Sequence, residues 1–295
     1  MKISGKIIGV FSMVLVQACT SISPQVNVST AMKQLIIAEP LPINYKDEIA
    51  IARLSEVIQR AEITKEQRAE LLYDRGVRFD NVGLNSLARL DFNRSLHLKP
   101  NLVDAYNLLG IHYTQMQEFT QAYDAFDSVL DLKPDHEYAH FNRGISLYYG
   151  DRADLAIKDF TDFHQQQTND PYRLLWLFFA ESKLDVVQAN NTLSEGEQYI
   201  ADNVWAKRII KLYLNEISLA QFTQELTYGL TNQKALTERL CEAYFYLGKL
   251  SLLRDQKRNA ANYFKLALST NVYEFVEHRY ARLELDLLRD KVKGS

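Results

Sequence analysis

Gly76, Gly110 and Gly144 recur every 34 residues, and no other feature of this chain restricts its fold so tightly. Each is followed by an alanine after 12 positions (Ala88, Ala122, Ala156) and a phenylalanine after 16 (Phe92, Phe126, Phe160). Gly248, Ala260 and Phe264 repeat the triplet 104 residues after Gly144, three periods plus two. A period of this length marks a unit too small to bury its own apolar face, so neighbours must stack to make one core. The chain has only 11 Gly and 6 Pro against 47% apolar residues. So few breakers in a leucine-rich sequence mean helices, and the expected class is all-α.

The pattern resembles the tetratricopeptide repeat, a pair of antiparallel helices with glycine at the eighth position, alanine at the twentieth and proline at the thirty-second. With Pro100 as position 32, Ala69 is position 1, and Pro134 ends the next unit. Small residues at positions 8 and 20 let the two helices approach. Leu72, Tyr106 and Tyr244 at position 4, with Leu109 and Leu247 at position 7, fill the space between them, and phenylalanine at position 24 is expected to pack across to the following unit. The twenty-seventh position, often alanine, departs in Ser95, Val129 and Phe163. The expected architecture is a tetratricopeptide-repeat solenoid with flanking N- and C-terminal helices. It divides into a helical segment at 44–68, three clear repeats at 69–171, two degenerate ones at 172–240, a further repeat at 241–273 and a capping helix at 274–295. Asn44 and the Thr64-x-x-Gln67 box are the helix starts before the first repeat. In the degenerate stretch Ala180 stands where a repeat glycine would fall, and helices are expected around 173–184, 186–193, 206–213 and 219–230.

The first residues read as a targeting segment: Lys2 and Lys6, an apolar run from Ile7 to Val16, then Ala18 before Cys19. The run is too short to span a bilayer. Val16-Gln17-Ala18-Cys19 resembles a bacterial lipobox. That resemblance implies a signal peptide at 1–18, a covalent lipid on Cys19 as the only prosthetic group, and, with Thr20 next, sorting to the outer membrane. Residues 19–43 then read as a lipidated end and tether. An ordinary signal peptide with an incidental cysteine is the alternative. Loss of 1–18 removes two lysines and no acid, moving the formal charge from −3 to −5, which argues against nucleic acid as a partner. Cys241, the remaining thiol, is placed at the start of a helix as a buried, inert side chain.

The chain is similar to the NlpI family of outer-membrane repeat lipoproteins of proteobacteria. Leu71-Leu72-Tyr73-x-Arg75-Gly76-Val77, Asn142-Arg143-Gly144-Ile145, Phe245-Tyr246-Leu247-Gly248-Lys249 and Phe275-Val276-Glu277-His278-Arg279-Tyr280-Ala281 carry the likeness, the last lying outside the repeat consensus. The resemblance implies a homodimeric, periplasm-facing adaptor, anchored through its lipid, that docks a tail-specific protease and presents cell-wall (murein) endopeptidases to it.

One enzyme-like motif competes with this. His136-Glu137-Tyr138-Ala139-His140 matches HExxH, in which two histidines on one helical face hold zinc and the glutamate activates its water. Pro134-Asp135, however, puts His136 in the first turn of a helix, and His140 falls on a position expected to pack between helices. Arg143 replaces the glycine of the longer motif, and Asp159 fits a third ligand only loosely. No P-loop, GxGxxG or GxSxG occurs. No catalytic residue and no metal ligand is therefore assigned. A structural role in assembling outer-membrane barrels is a further alternative. The partner surface is expected on the concave faces of the first helices of each unit, chiefly Tyr73, Asp80, Asp104, Asn107, Ile111, Thr114, Tyr138, Phe141 and Tyr148, a mixed aromatic and polar groove suited to a peptide. The lysine of a carboxylate clamp is absent from it, since Tyr73 and Asn107 hold the fifth position.

Overall fold

A computed structural model describes residues 36–60 and 62–293 of the chain. The targeting segment, Cys19 and the tether as far as residue 35 lie outside the described residues. Among those described there are fourteen helices and no strands. Helix α1 (Tyr45–Ile58) precedes the pairs α2 (Lys65–Asn81) with α3 (Asn85–Leu98), α4 (Val103–Gln115) with α5 (Phe119–Leu132), and α6 (Ala139–Tyr149) with α7 (Ala153–Gln166). Then come α8 (Pro171–Ser182) with α9 (Val186–Glu197), the short α10 (Lys207–Tyr213) and α11 (Leu219–Glu225), and α12 (Gln233–Leu253) with α13 (Lys257–Leu268). Helix α14 (Val276–Lys293) closes the series. No helix among the described residues is long and apolar enough to cross a membrane.

The glycine–phenylalanine spacing has a direct steric cause. A Cβ built on Gly76, Gly110 or Gly144 would stand 2.6, 2.6 and 2.8 Å from the ring of Phe92, Phe126 or Phe160, and one on Gly248 would collide with Phe264. Each ring thus lies on the bare backbone of its partner helix within the same unit, a contact the expectation of packing across units overlooked. The rings also reach onward, Phe92 to His112 and Phe160 to Trp176, each at 6.0 Å between centroids. Behind the rings runs an ion pair at the same 16-residue offset. Arg75 grips Asp91 with two bonds of 2.6 and 2.8 Å, and Arg143 grips Asp159 with two of 2.8 Å. Both aspartates are buried, where a bidentate guanidinium satisfies the carboxylate that burial strips of water. The turn between paired helices takes a left-handed residue at one register, Gly83 (φ 76°), Gln117 (61°), Asp151 (58°) and Asp255 (53°).

The α8–α9 pair inverts the size rule. Gly196 lies 16 residues after Ala180, where the repeat expects phenylalanine, and a Cβ there would meet Leu174 at 2.6 Å. The large residue sits on the first helix and the small one on the second, so close approach persists while the consensus disappears. Cys241 is fully buried in the middle of α12, which begins eight residues earlier under an Asn232 cap, not at a helix start; burial pushes its thiol well up. Of the stretch expected as a tether, 19–43, the described residues begin at 36. Residues 36–41 lie along α12 and α13, with the Tyr244 and Thr237 hydroxyls donating to the carbonyls of Ile36 and Glu39, and Leu41 N–H donating to Thr270 O at 2.9 Å.

Candidate functional site

Helix α14 packs on α13 and α12, where a capping helix is expected, and also reaches inward to the inner faces of α2, α4, α6 and α8. Arg279 of α14 reaches Asp80 of α2 at 2.7 Å, and His112 of α4 stands 3.1 Å from the same carboxyl. Burial alone would raise Asp80, but His112 and Arg279 beside it hold its carboxyl below the usual range. Tyr280 stacks on Tyr149 of α6 at 5.4 Å and meets Trp176 of α8 edge-on at 5.9 Å. Deeper in, Glu284 accepts from Lys249 of α12 at 2.5 Å and from the Tyr149 hydroxyl at 2.9 Å. Lys249 also donates to the Tyr148 hydroxyl at 2.8 Å, and burial of its ammonium is outweighed by the facing Glu284 carboxylate.

This arrangement corrects the expected groove. Asp80 is buried in the ion cluster, and Tyr148 is held by Lys249 and by Lys183, whose ammonium lies 4.4 Å from its ring centre. Thr114 is fully buried, its hydroxyl donating to Gly110 O inside α4. Asn107 accepts from Asn142 at 2.9 Å, while Tyr73 and Ile111 are half-buried and Asp104 is exposed. The chain itself thus takes up part of the surface the repeat pattern assigns to a partner: α14 claims Asp80, α12 claims Tyr148 and α4 keeps Thr114.

What remains open is a cavity of about 360 Å³ beside the start of α14. Tyr138 and Phe141 line it, the two expected groove residues placed there, together with Phe163 at the end of α7, Tyr172, Arg173 and Trp176 on α8, Glu242 on α12, and Phe275 and Glu277. Proline at the first position of α8 and the Asp170 cap, whose carboxylate accepts from Tyr172 N–H at 2.8 Å, fix where the α8 side chains point. Phe141 stacks on Phe163 at 4.8 Å and meets Trp176 edge-on at 6.1 Å. Glu242 accepts from Trp205 Nε1 at 3.1 Å and Glu277 from the Tyr246 hydroxyl at 3.1 Å. Burial and the facing Glu277 carboxylate push the Glu242 carboxyl up, to about 8. Burial raises Glu277 as well. The sequence marks neither glutamate as a site residue, Glu277 appearing only within the run that carries the resemblance, and their meeting depends on α14 being placed against α12.

The raised Glu242 has a measurable consequence. The folded state holds a proton that the unfolded chain has released above the ordinary carboxyl range, so stability falls as pH rises from about 4.5 to about 8. Glu242→Gln keeps the Trp205 bond and removes the penalty, so thermal melts at pH 8.5 should show a gain of about 1–3 kcal/mol that vanishes near pH 4.5. Equal melting shifts at both pH values would show that Glu242 does not titrate within the fold.

The HExxH residues do not share a helical face. His136 and Glu137 lie in the turn before α6, which starts at Ala139, so only His140 is helical. His136 Nε2 turns to Asp104 at 3.3 Å and His140 Nδ1 to Asp159 at 3.2 Å, and Arg143 already neutralises Asp159. His140 is half-buried and reaches from α6 to this ion pair on α7, so it lies between the two helices of its unit. No group of three His, Cys, Asp or Glu among the described residues could hold a metal ion.

No family model matches the chain. A tetratricopeptide repeat protein from Parabacteroides merdae superposes with a TM-score of 0.52 at 16% identity, covering 83% of this chain and 100% of that one. Two further solved structures are similar over less: the MamA RS-1 ArsTM double mutant (TM-score 0.48, 18% identity, 52% of this chain and 85% of that one) and PilF of Pseudomonas aeruginosa (0.45, 15%, 72% and 96%). The first match, with the helix order, makes this a tetratricopeptide-repeat fold.

Proposed function

We propose that this protein is a protein-binding scaffold, held at the outer membrane by a lipid on Cys19 and facing the periplasm, that acts as an adaptor between a tail-specific protease and murein endopeptidases. The observation that carries the scaffold reading is the stacked repeat array with an open aromatic and acidic cavity at the edge of its inner face. The lipobox and the resemblance quoted above support the anchor, the homodimer and the partners. Such an adaptor acts by proximity, raising the effective concentration of client at the protease without chemistry of its own. The test is capture on the immobilised full chain in detergent. The protease and an endopeptidase should be retained together, each saturably; retention of neither contradicts the adaptor reading.

A further inference from the structure

We infer that the cavity beside α14 is a receptor for an arginine-bearing peptide segment of a partner protein, its guanidinium lying between the aromatic walls and the Glu242 and Glu277 carboxylates. The inference deepens the scaffold reading and rests on it only in taking the occupant to be protein. Three observations converge. The walls are aromatic: Tyr138, Tyr172 and Phe275 are open to about 360 Å³, enough for a long side chain and its backbone. Phe141, Trp176 and Phe163 are buried behind them, the Phe163 face already taken by the Arg173 guanidinium at 3.6 Å. Ring faces attract cations, and guanidinium best of the side-chain cations.

The charge lining that space is unbalanced. Glu137, Asp170, Glu242, Glu274 and Glu277 face it against Arg173 alone. Around the inner pair, Tyr172 and Trp205 bond to Glu242, Tyr246 donates to Glu277, and Arg239, its guanidinium 4.6 Å from the Trp205 ring centre, also favours the charged form of Glu242. The buried Glu277 and the half-buried Glu242, lining one cavity, are a standing electrostatic cost that an entering cation removes.

Arg173 makes the complementary demand. It is 7% exposed, its Nη1 donates to Phe163 O at 2.6 Å, and its Nε makes no hydrogen bond, the nearest acid oxygen, on Asp170, standing at 3.4 Å. A backbone carbonyl at Nε and a guanidinium at the glutamates are both supplied by one peptide, whereas a free guanidino amine supplies only the second. The polarity is the reverse of a clamp for a C-terminal carboxylate.

Trp176 lines this cavity, and Trp205, the chain's other tryptophan, lines a neighbouring one and donates to Glu242, so their fluorescence reports occupancy. The full chain in detergent is titrated with acetyl-Ala-Arg-Ala-amide, with its citrulline counterpart and with agmatine, each to about 10 mM. The arginine peptide should saturate, and the citrulline peptide should bind about tenfold to a hundredfold more weakly, the usual worth of a charged hydrogen bond. Affinity for the arginine peptide should rise from pH 6 to pH 9 as the carboxylates ionise. Glu242→Gln with Glu277→Gln should abolish the preference for arginine over citrulline. The citrulline comparison decides the matter on the unaltered protein even if that variant folds poorly. Equal binding of the two peptides, or no saturable change, overturns the inference. Agmatine binding as tightly as the peptide overturns the protein occupant and leaves a free organic cation in its place. Failure here with partner capture intact sinks only this inference, and the converse result sinks only the adaptor reading.

Discussion

Replacing Glu284 with alanine should destabilise the fold by about 3–5 kcal/mol, the usual cost of stranding one member of a buried ion pair. Lys249 is 3% exposed and Glu284 5%, and the pair joins α12 to α14 at 2.5 Å. Without the carboxylate, Lys249 keeps the Tyr148 hydroxyl and the ring faces of Tyr148, Tyr149 and Phe179 but no counter-charge, and the Tyr149 hydroxyl loses its acceptor. Thermal melts should drop by about 10 °C. Lys249→Met combined with Glu284→Leu should recover most of the loss, because an apolar pair of similar volume carries no desolvation penalty. A loss below about 1 kcal/mol for the single change would mean that α14 is not seated on this pair.

Phe126→Ala should cost about 3–5 kcal/mol, since it removes a fully buried ring and leaves a cavity over Gly110. Its partner change discriminates the mechanism. Gly110→Ala in the unaltered protein places a methyl 2.6 Å from the Phe126 ring and should cost about 1–3 kcal/mol. In the Phe126→Ala background the same methyl enters vacated space, and the second loss should shrink or reverse. Strict additivity of the two changes in a denaturant series would contradict the proposed reason for the repeat spacing.

The repeat was legible because glycine is small for a single reason, the ring lying on it, and that reason recurs at a constant offset. The capping box also followed from local chemistry alone, and Thr64 and Gln67 bond reciprocally at 3.1 and 2.9 Å. What escaped depends on which distant surfaces meet. Gly196 and Leu174 conserve the close approach with sizes exchanged, which no consensus detects. The position of α14 is set by Arg279, Tyr280 and Glu284 finding partners more than a hundred residues away on α2 and α6 and others on α12. Its apolar stripe announces a buried helix but not where it is buried. The groove was misjudged for that reason: Asp80, Thr114 and Tyr148 occupy the expected register, yet α14, α12 and the interior of α4 claim them. Tyr138 and Phe141 line the cavity beside the start of α14, Tyr138 exposed and Phe141 buried.

The adaptor role is tested most directly by a degradation time course. The full chain in detergent is mixed with the tail-specific protease and a murein endopeptidase of the same cell, and loss of the endopeptidase is followed with and without the chain. The account predicts that the endopeptidase disappears several-fold faster when the chain is present, and equally fast with the His136→Ala, Glu137→Gln protein. An unchanged rate, or acceleration that vanishes with those two substitutions, would contradict it.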